Sequence, residues 1–317
     1  MSRKKVVLFF VVLGIFCAFY LLLNHSVHLT QSTASPRQVS VICRSADTEE
    51  WSTMKQGIDR AAKDFGVDVS FITLTSRNSA KEQISLLSRE IDGGADAVIL
   101  APVNSTALTQ PVYSAQEKVP VIAMQSSTQG LQSLQTVACD NVRMGSALAK
   151  EMCREELPNT PAVILCGSTM SSNEEDFLKG LKQGLKGRPV QCSTLTDVDS
   201  GETFAQVKQM FQRQPGAFFV ALNAEMLETA AQAKQALGVQ AHLYGAGRSN
   251  QIVSLLEQKI VSATAVSNDY NMGYLSLKAA VDQMEKKKSS NIEINSLIIN
   301  SNDIYQPQNE RILFPFV

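Results

Sequence analysis

The chain has 317 residues, 44% of them apolar and 19% charged, with 29 basic and 30 acidic side chains and a formal net charge of −1. That length accommodates two lobes of ordinary domain size, and the apolar share excludes a disordered chain. So even a charge balance leaves no electrostatic footprint for nucleic acid, and the run Lys286-Lys287-Lys288 reads as the solvated end of a helix, where cations suit the dipole.

Arg3, Lys4 and Lys5 precede the uncharged run Val6–Leu23. A signal peptide and a signal anchor both begin this way. The run is long for a cleaved apolar region and close to the lower limit for a span, about 17–25 residues. No small-x-small cleavage pattern follows it, and Phe16 before Cys17 does not suit a lipoprotein site. The reading is an uncleaved anchor. Residues 1–5 are then a cytoplasmic basic stub, 6–23 a transmembrane helix, 24–37 a polar linker, and 38–317 a body held outside the cell membrane.

Beyond the linker, apolar runs and helical periodicity alternate. Predicted strands lie at Val39–Arg44, 67–74, Asp96–Ala101, Val119–Met124, 134–139, 161–166, 189–196, 217–222, 240–245, 262–266 and 296–300. Predicted helices lie at 49–65, around Ile84, Leu87 and Ile91, and at 105–117, 142–156, 173–186, 202–213, 224–237, 249–258 and 270–285. Trp51, Met54, Ile58, Ala61, Ala62 and Phe65 share one face of the first helix. Strand–helix alternation on this scale predicts parallel sheets with right-handed crossovers and helices on both faces. The strand count predicts two sheets of about five or six strands each.

Side chains that carry chemistry are scarce. His25 and His28 flank the apolar run, and His242 stands alone on a strand, where a structural role is expected. No P-loop, nucleophile elbow or metal-ligand spacing is present, so no enzyme and no cofactor are expected. Gly245-Ala246-Gly247 resembles the start of a dinucleotide loop, but Asn250 stands where the third glycine belongs, and a turn that needs small residues accounts for it. Of six cysteines, Cys17 lies in the apolar run, and no CxxC occurs among the rest. Cys43, Cys166 and Cys192 are read as buried free thiols in strands, with a Cys166–Cys192 disulfide as the alternative in an oxidising exterior. In open α/β sheets ligands bind beyond the carboxyl ends of strands, which nominates loops starting at Arg44, Gln125, Gly167, Asn223 and Gly245.

Six segments, in order, resemble one family. They are "VSVICRSADTEEWSTMKQG" (39–57), "GGADAVILAPVNS" (93–105), "VPVIA" (119–123), "VACDNVRMGSALA" (137–149), "FFVALNAEM" (218–226) and "KIVSATAVSNDYNMGYLSLKAA" (259–280). Together they look like the type I periplasmic binding proteins of the ribose and galactose group, which share their fold with the ligand domain of LacI-type repressors. The resemblance implies two doubly wound parallel-sheet lobes joined by three crossover strands, preceded here by the transmembrane helix. Lobe one would comprise about 38–140 and 267–295, and lobe two about 141–266 and 296–317. The hinges would fall at Asp140 and Asn141, at Ser267 and near Asn295.

The family's likeness also implies a small-molecule ligand in the cleft. By position, Trp51 would stack on a sugar face, with Asp47 and Thr48 beside it; the residue also fits the apolar stripe. Asn223 would bind ligand hydroxyls, cap the next helix, or do both. The chain departs from the family where sugar binders carry Asp-Arg after the fourth strand, since Gln125-Ser126 stand there. Glu175 lies where an arginine is usual, Gly247 then Arg248 follow where an aspartate turn is usual, and Ser267 replaces a glutamine. Losing those charged hydrogen bonds weakens the case for an ordinary free aldose, and the implied ligand is a small polar molecule, a sugar or a sugar derivative. The implied partner is an ABC permease or, alternatively, a membrane histidine kinase. A repressor is disfavoured because a membrane segment stands where a DNA-binding motif belongs.

Overall fold

The computed structural model describes residues 13–16, 19–20, 36–44, 48–76, 78–155, 157, 159–195 and 201–314, with the backbone alone at 48–50. The chain divides into two compact units, Met1–Pro36 and Arg37–Val317. Of the first, residues 13–16 and 19–20 are helical and exposed. Most of Val6–Leu23 and of the linker lies outside the described residues. Among the described residues no helix is long and apolar enough to cross a membrane.

The second unit holds two six-stranded sheets. The first contains β1 (Arg37–Ile42), β2 (Val67–Ile72), β3 (Ala97–Leu100), β4 (Val121–Met124), β5 (Gln135–Cys139) and β11 (Ile292–Ile294), in the order β11-β5-β4-β3-β1-β2. The second contains β6 (Ala162–Cys166), β7 (Val190–Thr194), β8 (Phe218–Ala221), β9 (His242–Ala246), β10 (Ala263–Ser267) and β12 (Ser296–Asn300), in the order β12-β10-β9-β8-β6-β7. The helices are α1 (Thr48–Phe65), α2 (Ala80–Asp92), α3 (Thr109–Gln116), α4 (Asn141–Cys153), α5 (Ser172–Gly184), α6 (Gly201–Arg213), α7 (Ala224–Leu237), α8 (Asn250–Glu257), α9 (Asp269–Met284) and α10 (Pro307–Leu313).

Both faces of each sheet are covered, which is why the central strands read as unbroken apolar runs. On the first sheet Val39, Val41 and Ile99 pack with Met54 and Ile58 of α1 and Leu277 of α9. Ile42, Val98 and Leu100 pack on the other face with Leu86 and Leu87 of α2 and Val112 of α3. On the second sheet Leu165, Phe219 and Leu243 face α6, α7 and α8, while Ile164, Val220 and Tyr244 face α4 and α5.

Every pairing is parallel except that of β12 with β10, a departure from the all-parallel expectation. β12 enters straight from β11 without a helix, and a parallel neighbour needs a long crossover. The three-residue β11 and the short α10 were not anticipated, since neither is long enough to show periodicity. The chain passes between sheets at three places, Cys139–Asn141, Ser267–Asn268 and Ile294–Ser296. These lie side by side: Ser267 pairs with Ser296, Cys139 with Ile294, and the Asn268 amide donates to the Asn295 carbonyl at 3.2 Å.

Each helix that follows one of the first two passages is held against the first helix of its sheet by facing glycines. A Cβ on Gly57 (α1) would lie 2.0 Å from the Tyr270 carbonyl oxygen, and one on Gly273 (α9) 2.0 Å from that of Met54. The second sheet repeats the device between α4 and α5, where a Cβ on Gly145 would lie 2.1 Å from the Phe177 carbonyl oxygen and one on Gly180 2.0 Å from that of Val142. Backbone atoms on both sides leave nothing able to swing aside. Gly57→Ala is expected to cost more than about 3 kcal/mol or to prevent folding, measured by urea titration. Gly216→Ala, where no atom lies within 4 Å, stays within about 0.5 kcal/mol of the parent. A Gly57→Ala protein of parental stability would contradict this packing.

Candidate functional site

The carboxyl ends of β1, β4, β6, β8, β9 and β10 face one another across a gap between the sheets. Helices begin there with side-chain caps. Asp140 accepts from the Arg143 amide at the start of α4, Asn223 from the Met226 amide at α7, Ser249 from the Ile252 amide at α8, and Asn268 from the Asn271 amide at α9. Ser171 caps α5 in a capping box with Glu174. Several helix N-termini therefore ring the gap, each presenting unfilled backbone donors and a partial positive charge.

The cavity in the gap is about 70 Å³. Its polar wall includes Arg44, Gln125, Asn141, Asn173, Asn223, Arg248, Ser267 and Asp269, and its apolar wall includes Met144, Phe177, Leu222 and Met272. The cavity is smaller than the about 300–1,000 Å³ of most small-molecule pockets.

Arg44 reaches from the end of β1 across the gap. Its Nη2 donates to Gln125 Oε1 at 2.6 Å on its own side, and its Nη1 to Ser171 Oγ at 2.6 Å and Asn173 Oδ1 at 3.2 Å on the other. Gln125 is held in a left-handed conformation (φ 67°), with its amide on the Val137 carbonyl. Strain of this kind in a non-glycine residue tends to persist where a side chain is aimed at a site. The network continues beyond Ser171. The Ser171 amide donates to Glu174 Oε2, and Asn223 Nδ2 donates to Glu174 Oε1 at 2.7 Å.

Arg248 follows Gly247, whose φ of 115° and close approach to Ala224 leave no room for a side chain. Its guanidinium donates through Nε and Nη2 to the Leu313 carbonyl and through Nη1 to Thr53 Oγ1 at 3.0 Å, so it ties α10 and α1 to the gap. Ser267 hydrogen-bonds Asp269 beside the cavity. Cys139 is on the wall, and burial, with Asp269 and Glu293 nearby, pushes its thiol up to about 12, so it stays protonated. Asn141 Nδ2 donates to the Cys139 carbonyl.

Several expected site residues lie elsewhere. Trp51 is 2% exposed and packs in the core of the first sheet, because it shares the stripe of Met54 and Ile58; Arg44 lies over its ring at 5.9 Å. Ser126 is 1% exposed and donates to the Pro102 carbonyl. Glu175 is exposed, one residue of helical rotation away from Glu174, which takes part in the network. Asp47 lies outside the described residues, and Thr48 is described by its backbone alone, as the first residue of α1. Arg44, Asn141, Asn173 and Asp269 were not singled out as ligand residues, although the loop after β1 was nominated and Asn141 was assigned to a hinge. Cys192, expected to be buried, is exposed on β7. Cys166 is free and buried, and Cys192 is free as well.

A family model described as a periplasmic binding protein domain matches residues 39–288. The chain belongs to the type I periplasmic binding protein family. It is similar to the ribose import binding protein RbsB of Bacillus subtilis (strain 168), at 25% identity over 240 residues, 74% of this chain and 78% of that protein. A carbohydrate transporter solute-binding protein from Agrobacterium radiobacter, solved with D-arabinose, superposes with a TM-score of 0.82 at 19% identity, covering 89% of this chain and all of that one. A chain of the XylFII-LytSN complex superposes with a TM-score of 0.77 at 22% identity, covering 85% and 99%.

Within this binding-protein fold Trp51 is a core residue. Trp51→Ala is expected to cost about 3–5 kcal/mol in urea unfolding. Loss of ligand affinity with unchanged stability would instead return the indole to the gap.

Proposed function

We propose that the protein is a membrane-anchored extracytoplasmic solute-binding protein that closes on a small sugar or polyol and presents it to an ABC permease. The observation that carries this reading is the polar cavity at the facing strand ends, between two lobes of a periplasmic-binding fold. The lobes are about 38–140 with 267–295, and about 141–266 with 296–317. The passages at Asp140 and Asn141, at Ser267 and at Asn295 are the hinges. Three adjacent single-stranded passages let rigid lobes turn with few backbone changes.

Amide side chains suit hydroxyl groups because each offers both a donor and an acceptor. Gln125, Asn141, Asn173 and Asn223 supply these. Asp269 supplies a charged acceptor and Arg248 a charged donor, the stronger kind of bond; Ser267 positions Asp269. Ligand that contacts both lobes only when they are shut favours the shut form by its differential affinity. The sugars named for the similar proteins, ribose and D-arabinose, support this class of ligand. The uncharged run Val6–Leu23 behind three basic residues supports the anchor.

A second reading is a sensory subunit, whose closed body is read by the outer domain of a membrane histidine kinase. The solved complex of XylFII with LytSN favours keeping it, as a similar fold assembled with a second protein. Co-purification of the tagged full chain with permease subunits or with a kinase separates the two.

The expected outcome of a thermal-shift screen of the full chain against D-ribose, D-arabinose and other pentoses, hexoses and polyols is stabilisation by at least one. Specific binding adds about 2.7 kcal/mol at a hundredfold excess over Kd. Asp269→Ala and Asn141→Ala each weaken that ligand more than about tenfold. A panel without any stabilising sugar or polyol would end the reading.

A further inference from the structure

The gap is bridged from within. Arg44 spans the gap, and its guanidinium donates to Gln125 on the first lobe and to Ser171 and Asn173 on the second. Through Ser171 and Glu174 the same network reaches Asn223 on β8's loop. Gln125, Asn173 and Asn223 of the polar wall are thus engaged by this network, beside a cavity of about 70 Å³. Among the described residues, the lobes are also joined by the Ser127 amide to Ser172 Oγ at 2.7 Å, by Arg248 Nη1 to Thr53 Oγ1 at 3.0 Å, and at the hinge by the Arg143–Glu293 ion pair. Arg44, like Arg248, is a charged, forked donor with partners on both sides, so each contributes more of the closure than the neutral Ser127–Ser172 bond.

We propose that Arg44 is an internal ligand: it latches the lobes shut in the absence of solute, and a solute enters by displacing it. The latch and the solute compete for the same acceptors, so Arg44 sets both the threshold for binding and the selectivity. A ligand must offer enough hydroxyl donors to replace the guanidinium on Gln125 and Asn173. Small alcohols that reach only one lobe do not displace it. The arrangement also makes a shut form available to a partner before solute arrives. This goes beyond the proposed function in the shut, solute-free state. It rests on that function only where solute affinity is concerned.

The population shift has a measurable size. If the latched form outweighs the open form about tenfold, the apparent affinity for solute is about tenfold weaker than the open site would give. Removing the latch restores it.

The test uses the full chain with spin labels on cysteines introduced at Ala107 and Thr169, exposed in the loops after β3 and β6, and with Cys153 and Cys192 replaced by serine. Without any sugar present, the Arg44→Ala protein is expected to show a longer and broader distance distribution than its parent. Asn173→Ala, which removes one acceptor on the far lobe, shifts it the same way to a smaller extent and decides the matter if Arg44→Ala does not fold. In titrations with D-ribose and D-arabinose, Arg44→Ala binds whichever sugar the parent binds about tenfold more tightly. Unchanged distances in both variants would overturn the latch. Weaker sugar binding by Arg44→Ala would make Arg44 an ordinary ligand contact and overturn the displacement. If neither protein binds any sugar, the proposed function fails, and the sugar-free distances still decide the latch.

Discussion

Four glycines fix what the rest of the molecule can do. Gly57 with Gly273, and Gly145 with Gly180, bring the backbones of α1 and α9, and of α4 and α5, into direct contact. No side chain intervenes, so neither pair can slide without steric conflict. The helices so joined are the ones that carry the chain away from its first two passages between sheets and the ones that follow the first strand of each sheet. Their N-termini deliver Asn141, Asn173 and Asp269 to the gap. Rigidity within a lobe and a defined gap between lobes thus have one origin.

The chemistry of the gap follows from that rigidity. Strand ends and helix caps place amides and hydroxyls at fixed points, and two arginines cross the space between the lobes. Few of these groups are aromatic or strongly acidic, and Cys139, the thiol on the wall, is kept protonated by burial. The arrangement suits recognition by hydrogen bonds. It differs from the usual sugar site of the resemblance in carrying Gln125, Gly247 and Ser267 at three of its positions.

Most strands were legible because a parallel strand covered on both faces must be apolar throughout, as "AVIL" (97–100) and "FFVA" (218–221) are. α7 was legible to the residue, since Asn223 caps it and Gly238 ends it in a left-handed turn. β11, three residues at a sheet edge, had no pattern to read, and the antiparallel β12 follows from that unseen link. In the site, the rule that ligands lie beyond strand ends led to the loops of Arg44, Gln125, Asn223 and Gly245, and Gln125, Asn223, Arg248 and Ser267 do line the cavity. Facing was harder to read than location. Trp51 and Glu175 each sit on a helix where one residue is a turn of about 100°, and the helix phase puts the first in the core and the second in solvent. The loop of Arg44 was nominated by its place at a strand end, but the bridging role of its side chain was not, because a lone charge there has no spacing partner.

Hydrogen–deuterium exchange of the full chain, with and without a sugar found to bind, tests the account most directly. It predicts slower exchange at the loops around Gln125–Thr128, Ser171–Asn173, Asn223, Gly247–Ser249 and Ser267–Asn271, with the interiors of α1, α4, α5 and α9 unchanged. Altered exchange along those helix interiors, with the strand-end loops unaffected, would contradict rigid lobes meeting a solute at the gap.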